Sequence, residues 1–354
     1  MGPRIYLDHA ATTPVVPEAR AAMADALADW ANPSSAHADG RRARARLEDC
    51  RRRIAAALRW TGEVVFTSGA TEALDIALTR AACDRRIVAA VEHGAVHRAA
   101  PDAVRIPVDA GGRIDVDALP DLMAGATRPL VCVQSANSET GVQHPISAIT
   151  ERVRAAGGLM LVDCSQSAGK LPLPDVDMIV VASHKLGGPP GVGALLLRDP
   201  ALIAAVGGQE GGYRPGTQNL PAIAGFAAAL EADFGWYVGM VELRALLEQR
   251  LLAAGAEVVA DGEPRMATIG AYRMPGVPAP AQLMHMDLAG IAVSAGSACS
   301  SGAVRPSAAL VAMGWPDAEA GEVIRISFGR GTSTADVEAC AAAWTALASR
   351  RRAA

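Results

Sequence analysis

SHKLGGPPGVGALLL, residues Ser183–Leu197, follows directly on the apolar run Met178–Ala182. The run is too short for a helix, stops in a loop dense in glycine and proline, and is answered by a second apolar run, Gly193–Leu197. That pattern is strand, loop, strand. A lysine at the end of a buried strand has a desolvated stem and a head in a loop cavity. That setting lowers the ammonium pKa and makes the amine a usable nucleophile. Taken alone, Lys185 would read as a solvated strand-end lysine.

Working outward, similar short runs occur at Glu63–Phe66, Ile87–Val91, Val104–Val108, Leu130–Val133 and Leu159–Val162. Several alternate with helical patterns such as Glu72–Ala82 and Ile146–Ala156. Strands interleaved with helices predict an α/β fold, with a largely parallel sheet covered on both faces. Functional groups then belong at the strand C-termini, where loops open into a crevice. TSGATE (Thr67–Glu72), Glu92-His93, Asp163 and Ser183–Lys185 all sit at such ends. From about Phe226 the pattern changes to a long helical stretch, Ala227 to Ala254. Shorter β-like runs follow at Glu257–Ala260, Thr268–Tyr272, Ile291–Ser294 and Val323–Ser327, with helices near Ser307–Met313 and Thr334–Arg350. These predict a smaller α+β domain. The expected division is a large domain over residues 14–228 and a small one built from 1–13 and 229–354.

The 354 residues suffice for two such domains, and 51% hydrophobic content excludes disorder, while only 4% aromatic content leaves core building to aliphatic side chains. The net charge of −4 argues against a nucleic-acid partner. The basic clusters Arg41–Arg46 and Arg51–Arg53 interleave with Glu48 and Asp49 and read as solvated helix faces. Six cysteines without a CxxC pair argue against a disulfide framework or a metal site. With no signal-peptide core at the start and no run of eighteen apolar residues, the expectation is a cytoplasmic protein with no membrane partner.

TSGATEALDIAL places Ser68, Gly69, Ala70 and Thr71 at a helix N-terminus, where free N–H groups and the helix dipole favour an anion. The same residues also simply begin a well-capped helix. A lysine, a strand-end carboxylate and a phosphate cradle together are what pyridoxal 5'-phosphate requires. Asp163 would then keep the pyridine nitrogen protonated, making the ring an electron sink; otherwise it is a turn residue. Gln166, on the same turn, could donate to the phenolic oxygen. His93 could stack on the ring and exchange protons with substrate, with His97 its competitor. Cys299 lies in SAGSACSSG, among small residues that no packing argument explains, and reads as an exposed nucleophilic thiol. Arg325, inside VIRISFGRGT, needs an anionic partner, which is either a substrate carboxylate or an internal carboxylate.

With these residues in view, the chain resembles the cysteine desulfurases of the NifS/IscS type, class V members of the aminotransferase fold. The resemblance runs through YLDHAATTP (Tyr6–Pro14), NPSSAH (Asn32–His37), FTSGATE (Phe66–Glu72), EHGAV (Glu92–Val96) and VDCSQSAGKLP (Val162–Pro172). It continues through SHKLGGPPGVG (Ser183–Gly193), GGQEGGYRPGTQN (Gly207–Asn219), GSACSSG (Gly296–Gly302) and IRISFG (Ile324–Gly329). It implies the aspartate aminotransferase-like fold of type I, with a mostly parallel seven-stranded sheet. It implies Lys185 as the Schiff-base lysine, Asp163 at the pyridinium nitrogen, Gln166 at the phenolic oxygen and His93 on the ring. Ala70, Thr71, Ser183 and His184 match phosphate ligands, and Thr217 matches a phosphate contact given to the other subunit of a homodimer. Arg325 matches the clamp on the carboxylate of L-cysteine, and Cys299 the persulfide-forming nucleophile. The expected products are alanine and a persulfide destined for a protein sulfur acceptor, such as an iron–sulfur scaffold or a thiolation enzyme.

Three departures stand out: Ser138 replaces an asparagine expected near the phenolic oxygen, Ala182 replaces a serine, and Leu74-Asp75 replaces an asparagine pair. Asn137, an expected substrate-binding residue beside Arg325, is the candidate substitute for the first loss, and whether Ser183 compensates for the second stays open. The competing readings are a selenocysteine lyase, another lyase or aminotransferase of the same fold, or a non-catalytic scaffold dimer. An exposed thiol at Cys299 favours sulfur transfer over transamination.

Overall fold

The computed structural model describes residues 4–296 and 307–353. Its strands, in chain order, are β1 (Ile5–Tyr6), β2 (Glu63–Thr67), β3 (Arg85–Ala89), β4 (Val104–Ile106), β5 (Pro129–Gln134), β6 (Leu159–Asp163), β7 (Met178–Ala182), β8 (Gly193–Leu197), β9 (Glu257–Val258), β10 (Ile269–Arg273), β11 (Ile291–Ala292) and β12 (Val323–Ser327). Seven of them form one sheet in the order β2-β8-β7-β6-β5-β3-β4. Only β8 runs against its neighbours, so the other six present their C-terminal ends along one edge of the sheet. All seven apolar runs read from the sequence are strands of this sheet.

The strand sequences explain their burial. Val131, Val133, Met160, Val162, Ile179 and Val181 face one layer of helices, packed with Leu47, Ile54, Ile149 and Phe226. Their neighbours Leu130, Cys132, Leu161, Val180 and Leu195 face the opposite layer, packed with Leu74, Ile76, Leu78 and Val96. Period-two alternation between two apolar faces makes a strand apolar throughout, which is why these segments lack any polar face. Each fully buried Leu, Ile or Val contributes about 1.5–3 kcal/mol.

Residues beyond the main sheet form smaller ones. β12, β10 and β9 make an antiparallel sheet, and β1 pairs in parallel with β11. They share a separate core with the helices Met240–Ala253, Ala279–Leu288 and Thr334–Ala353, in which Trp344, Tyr272 and Phe328 are buried. The single long helix expected over Ala227–Ala254 is instead two, Leu220–Glu231 and Met240–Ala253. The break has a local cause. Ala232 is extended, and Asp233 accepts from the Gly235 amide at 2.7 Å, closing a turn that competes with the helix. Gly235 and Gly239 weaken helical continuation further, and Trp236 and Tyr237 turn toward the second core.

The N-terminal segment laces these parts together. Leu7 donates to Ala292 and its carbonyl accepts from Ser327, the Ala10 amide donates to Ser327 Oγ at 2.9 Å, and Thr13 and Val16 donate to the carbonyls of His184 and Gly187.

Candidate active site

The C-terminal ends of β2, β3, β5, β6 and β7 open into one cavity of about 850 Å³. At one side the helix Ala70–Arg80 begins beyond Gly69, whose φ of 149° suits glycine. No side chain caps this helix, so its first amides face the cavity where Ala70 and Thr71 line it. Gly193 permits the arrangement. A Cβ there would stand 2.8 Å from the Gly69 Cα, so only glycine lets β8 pass beneath the turn. Glu72, in the first turn, would repel an anion, but Arg214 donates to both its carboxylate oxygens at 3.0–3.1 Å and to Ser68 Oγ at 3.0 Å. The Ser68 hydrogen bonds and Arg214 hold the Glu72 carboxyl below its ordinary pKa despite burial. Arg214 and Glu72 were missed in the sequence because their pairing joins residues far apart along the chain.

Asp163 ends β6, buried and lining the cavity. One oxygen accepts from the Ser165 amide at 2.8 Å, and the other has no hydrogen-bond partner among the described residues. Gln166 lines the cavity and donates through Nε2 to the Ala10 carbonyl at 3.0 Å. The Lys185 ammonium donates to that same carbonyl. Burial, reinforced by the Arg325 charge and opposed by Asp163 and Asp8, pushes the Lys185 pKa down to about 8. A sizeable fraction of this amine is therefore neutral near pH 7.5.

His93 caps the short helix Gly94–Ala99 by accepting from the Ala95 amide at Nδ1, 3.2 Å, which leaves the proton on Nε2. Enclosure by the cavity walls, helped by Lys185 and Arg98 and opposed by Asp163, holds its pKa below the ordinary value. His184 lines the cavity with Nδ1 3.2 Å from Thr12 Oγ1, and burial lowers its pKa to about 4. Gln134, which pairs with Asp163 across the sheet, also reaches the cavity and was not singled out from the sequence.

Other expected residues lie elsewhere. Asn137 is not a cavity residue: its Nδ2 donates to the Val91 carbonyl at 3.1 Å, and its Oδ1 accepts from the amides of Glu139 and Thr140. A side chain so fully committed does not replace the lost asparagine at Ser138, which itself lines the cavity. Ser183 is fully buried behind the cavity wall with its hydroxyl unpartnered, while Ala182 faces in, so the two do not exchange roles. Thr217 is exposed and away from the cavity. Arg325 forms the internal ion pair that was its alternative reading. Its Nη2 lies 2.7 Å from Asp8 Oδ1, its Nη1 donates to the Ser138 carbonyl at 3.0 Å, and its buried Nε has no partner among the described residues. Cys299 lies outside the described residues.

The arrangement combines a neutralisable amine, a buried carboxylate and an uncapped helix N-terminus, which fits a phosphorylated pyridine aldehyde at every end. Comparison with known proteins agrees. The class-V aminotransferase model matches residues 5–340, and the chain belongs to that family, whose members depend on pyridoxal phosphate. It is 37% identical to a cysteine desulfurase of Cereibacter sphaeroides over 95% of this chain and 93% of that one. It is 39% identical to a cysteine desulfurase of Frankia over 95% of this chain and 89% of the relative. The X-ray structure of a NifS-like protein from Rickettsia africae superposes with a TM-score of 0.87 at 29% identity, covering 97% of this chain and 99% of that one.

Proposed function

We propose that the protein is a cysteine desulfurase that takes sulfur from L-cysteine, releases L-alanine and carries the sulfur as a persulfide on Cys299. The observation that carries this reading is the meeting of Lys185, Asp163 and the Ala70 helix N-terminus in one cavity. Lys185 would hold the cofactor covalently. The amides at Ala70 and Thr71, with His184, would receive its phosphate, while Asp163 and Gln166 would meet the ring. When bound, pyridoxal phosphate supplies an electron sink beside the substrate's Cα.

The chain's own residues do the rest. Lys185, once its amine is free, takes the Cα proton. Its lowered pKa lets it act as a base near neutral pH. Arg325, held by Asp8 at 2.7 Å, would exchange that partner for the substrate carboxylate. His93, neutral with its proton on Nε2, exchanges protons at the sulfur. The Cys299 thiolate then attacks the substrate sulfur: the S–S bond forms, the C–S bond breaks, and its electron pair ends as a C–H bond of alanine. We further propose a homodimer in which Thr217 serves the partner's cavity, which accounts for its exposure. The proposed division sets residues 14–228 apart from 1–13 and 229–354. A cytoplasmic location is supported by Cys50, Cys83, Cys132, Cys164 and Cys340, all free thiols. An iron–sulfur scaffold or a thiolation enzyme is the proposed acceptor class. Among the described residues no helix is long and apolar enough to cross a membrane.

The test is a single-turnover reaction with L-cysteine. The wild type should yield alanine and persulfide in equal amounts. Cys299→Ala should keep the absorbance of the lysine-bound cofactor and lose persulfide. Equal sulfur release by that variant would remove Cys299 from the reaction.

A further inference from the structure

The string SAGKLP contains a lysine to which the reaction above gives no work. Lys170 sits one turn past Gln166, and its position is set by Gly169, where a Cβ would come within 2.6 Å of the Phe234 ring. Its ammonium donates to the Gln166 carbonyl at 3.0 Å and to the Lys185 carbonyl at 3.3 Å. Among the described residues no carboxylate offsets its charge. The charged and titratable groups facing it are Lys185 and His9, with Arg330 across a small cavity of about 20 Å³ that Lys170 and Lys185 also line. Burial and the Lys185 charge push its pKa down to about 8. A half-buried cation satisfied, among the described residues, by main-chain carbonyls is costly, and methionine would fill the same space without that cost.

We propose that Lys170 is a positioning residue for Lys185: by donating to one carbonyl in the Asp163–Gln166 turn and to the carbonyl of Lys185 itself, it clamps the two turns and fixes how the Lys185 amine enters the cavity. Asp163 ends β6, and Lys185 lies in the turn that follows β7. Beyond β6–β7 pairing, the clamp is a direct side-chain tie between the turns that follow those strands. Its charge acts in the same sense as its geometry, because a like charge close by favours the neutral Lys185 amine. The inference rests on the reading that Lys185 carries the reaction.

The test uses the full chain and the variants Lys170→Met, Lys170→Gln and Lys170→Arg, with folding checked by circular dichroism. In cofactor-free protein, the pH dependence of Lys185 acetylation by acetic anhydride is followed by peptide mass mapping. Loss of the neighbouring charge in Lys170→Met and Lys170→Gln should move the Lys185 titration upward and slow its labelling at pH 8 by about threefold. In the cofactor-loaded enzyme, kcat for L-cysteine should fall about tenfold with KM unchanged. Lys170→Arg, which keeps charge and donors, should restore both. An unchanged Lys185 titration in both neutral variants, or a loss that Lys170→Arg does not relieve, overturns the proposal. Failure of the parent protein to bind the cofactor would defeat the reading of Lys185 and leave the labelling comparison intact.

Discussion

Glu210 provides the most demanding test of how the fold supports the site. Its side chain is completely buried in the GGQEGG turn, at a backbone φ of 50°. Its carboxylate accepts from Arg51 at 2.7 and 3.2 Å, from the Phe66 amide at 2.8 Å and from Gln218 at 2.8 Å. One side chain thus ties the loop bearing Arg214 and Thr217 to β2 and to the arginine-rich helix Ala38–Ala57. Glu210→Ala leaves Arg51 without its buried partner, and breaking such a pair costs about 3–5 kcal/mol. The orphaned Phe66 amide adds about 1–3 kcal/mol if nothing replaces the bond. Two features pull the total back. Arg51 keeps Glu48 at 2.9 Å, and its side chain remains 19% exposed, so water recovers part of the loss. We expect about 3–4 kcal/mol in all, measured as a fall in the urea midpoint without a change in slope. Glu210→Gly loses the same contacts but relieves the left-handed backbone, and should be about 1 kcal/mol more stable than Glu210→Ala. A loss below about 1 kcal/mol for Glu210→Ala would refute the reasoning.

Two further outcomes follow from charges in the structure. His144 is buried with neither ring nitrogen partnered among the described residues, and burial lowers its pKa to about 4. A depressed histidine pKa means the unfolded chain binds the extra proton first, so stability present above pH 6.5 is lost as pH falls toward 4. His144→Leu should flatten that decline by about 1–3 kcal/mol in urea melts at pH 7 and pH 4.5, and an identical slope would contradict it. Asp8 raises the Lys185 pKa through space and holds Arg325. Asp8→Asn should therefore shift the acid limb of the pH–rate profile to lower pH by roughly half a unit, opposite to the Lys170 variants. An unmoved or upward-shifted limb would show that the Asp8 charge does not raise the Lys185 pKa.

Much of this architecture was legible because buried parallel strands leave a strong trace. Seven short runs rich in branched apolar residues, separated by helical periodicity, identify the sheet, and a parallel sheet places its chemistry at strand C-termini. Lys185, Asp163, His93 and the Ala70 turn stand there for that reason. What escaped notice depends on side-chain direction or long-range partners. Asn137 and Ser138 are adjacent, and only the turn closed by the Asn137 carboxamide decides that Ser138 faces inward. Ser183 and Ala182 differ in the same way at the point where β7 leaves extended geometry. Arg214 meets Glu72, and Asp8 meets Arg325, across separations that no local pattern records. The helix break at Asp233 was hidden by flanking apolar residues that suit a helix as well as a turn.

The lacing of the N-terminal segment bears on how the protein is made. Leu7 and Ala10 find their partner Ser327 only after all the intervening chain has been made. The Ala10 carbonyl that receives both Lys185 and Gln166 cannot be anchored in this way on a growing chain. Setting the Ala10 carbonyl beneath Lys185 and Gln166 must therefore wait for β12, however early the central sheet assembles.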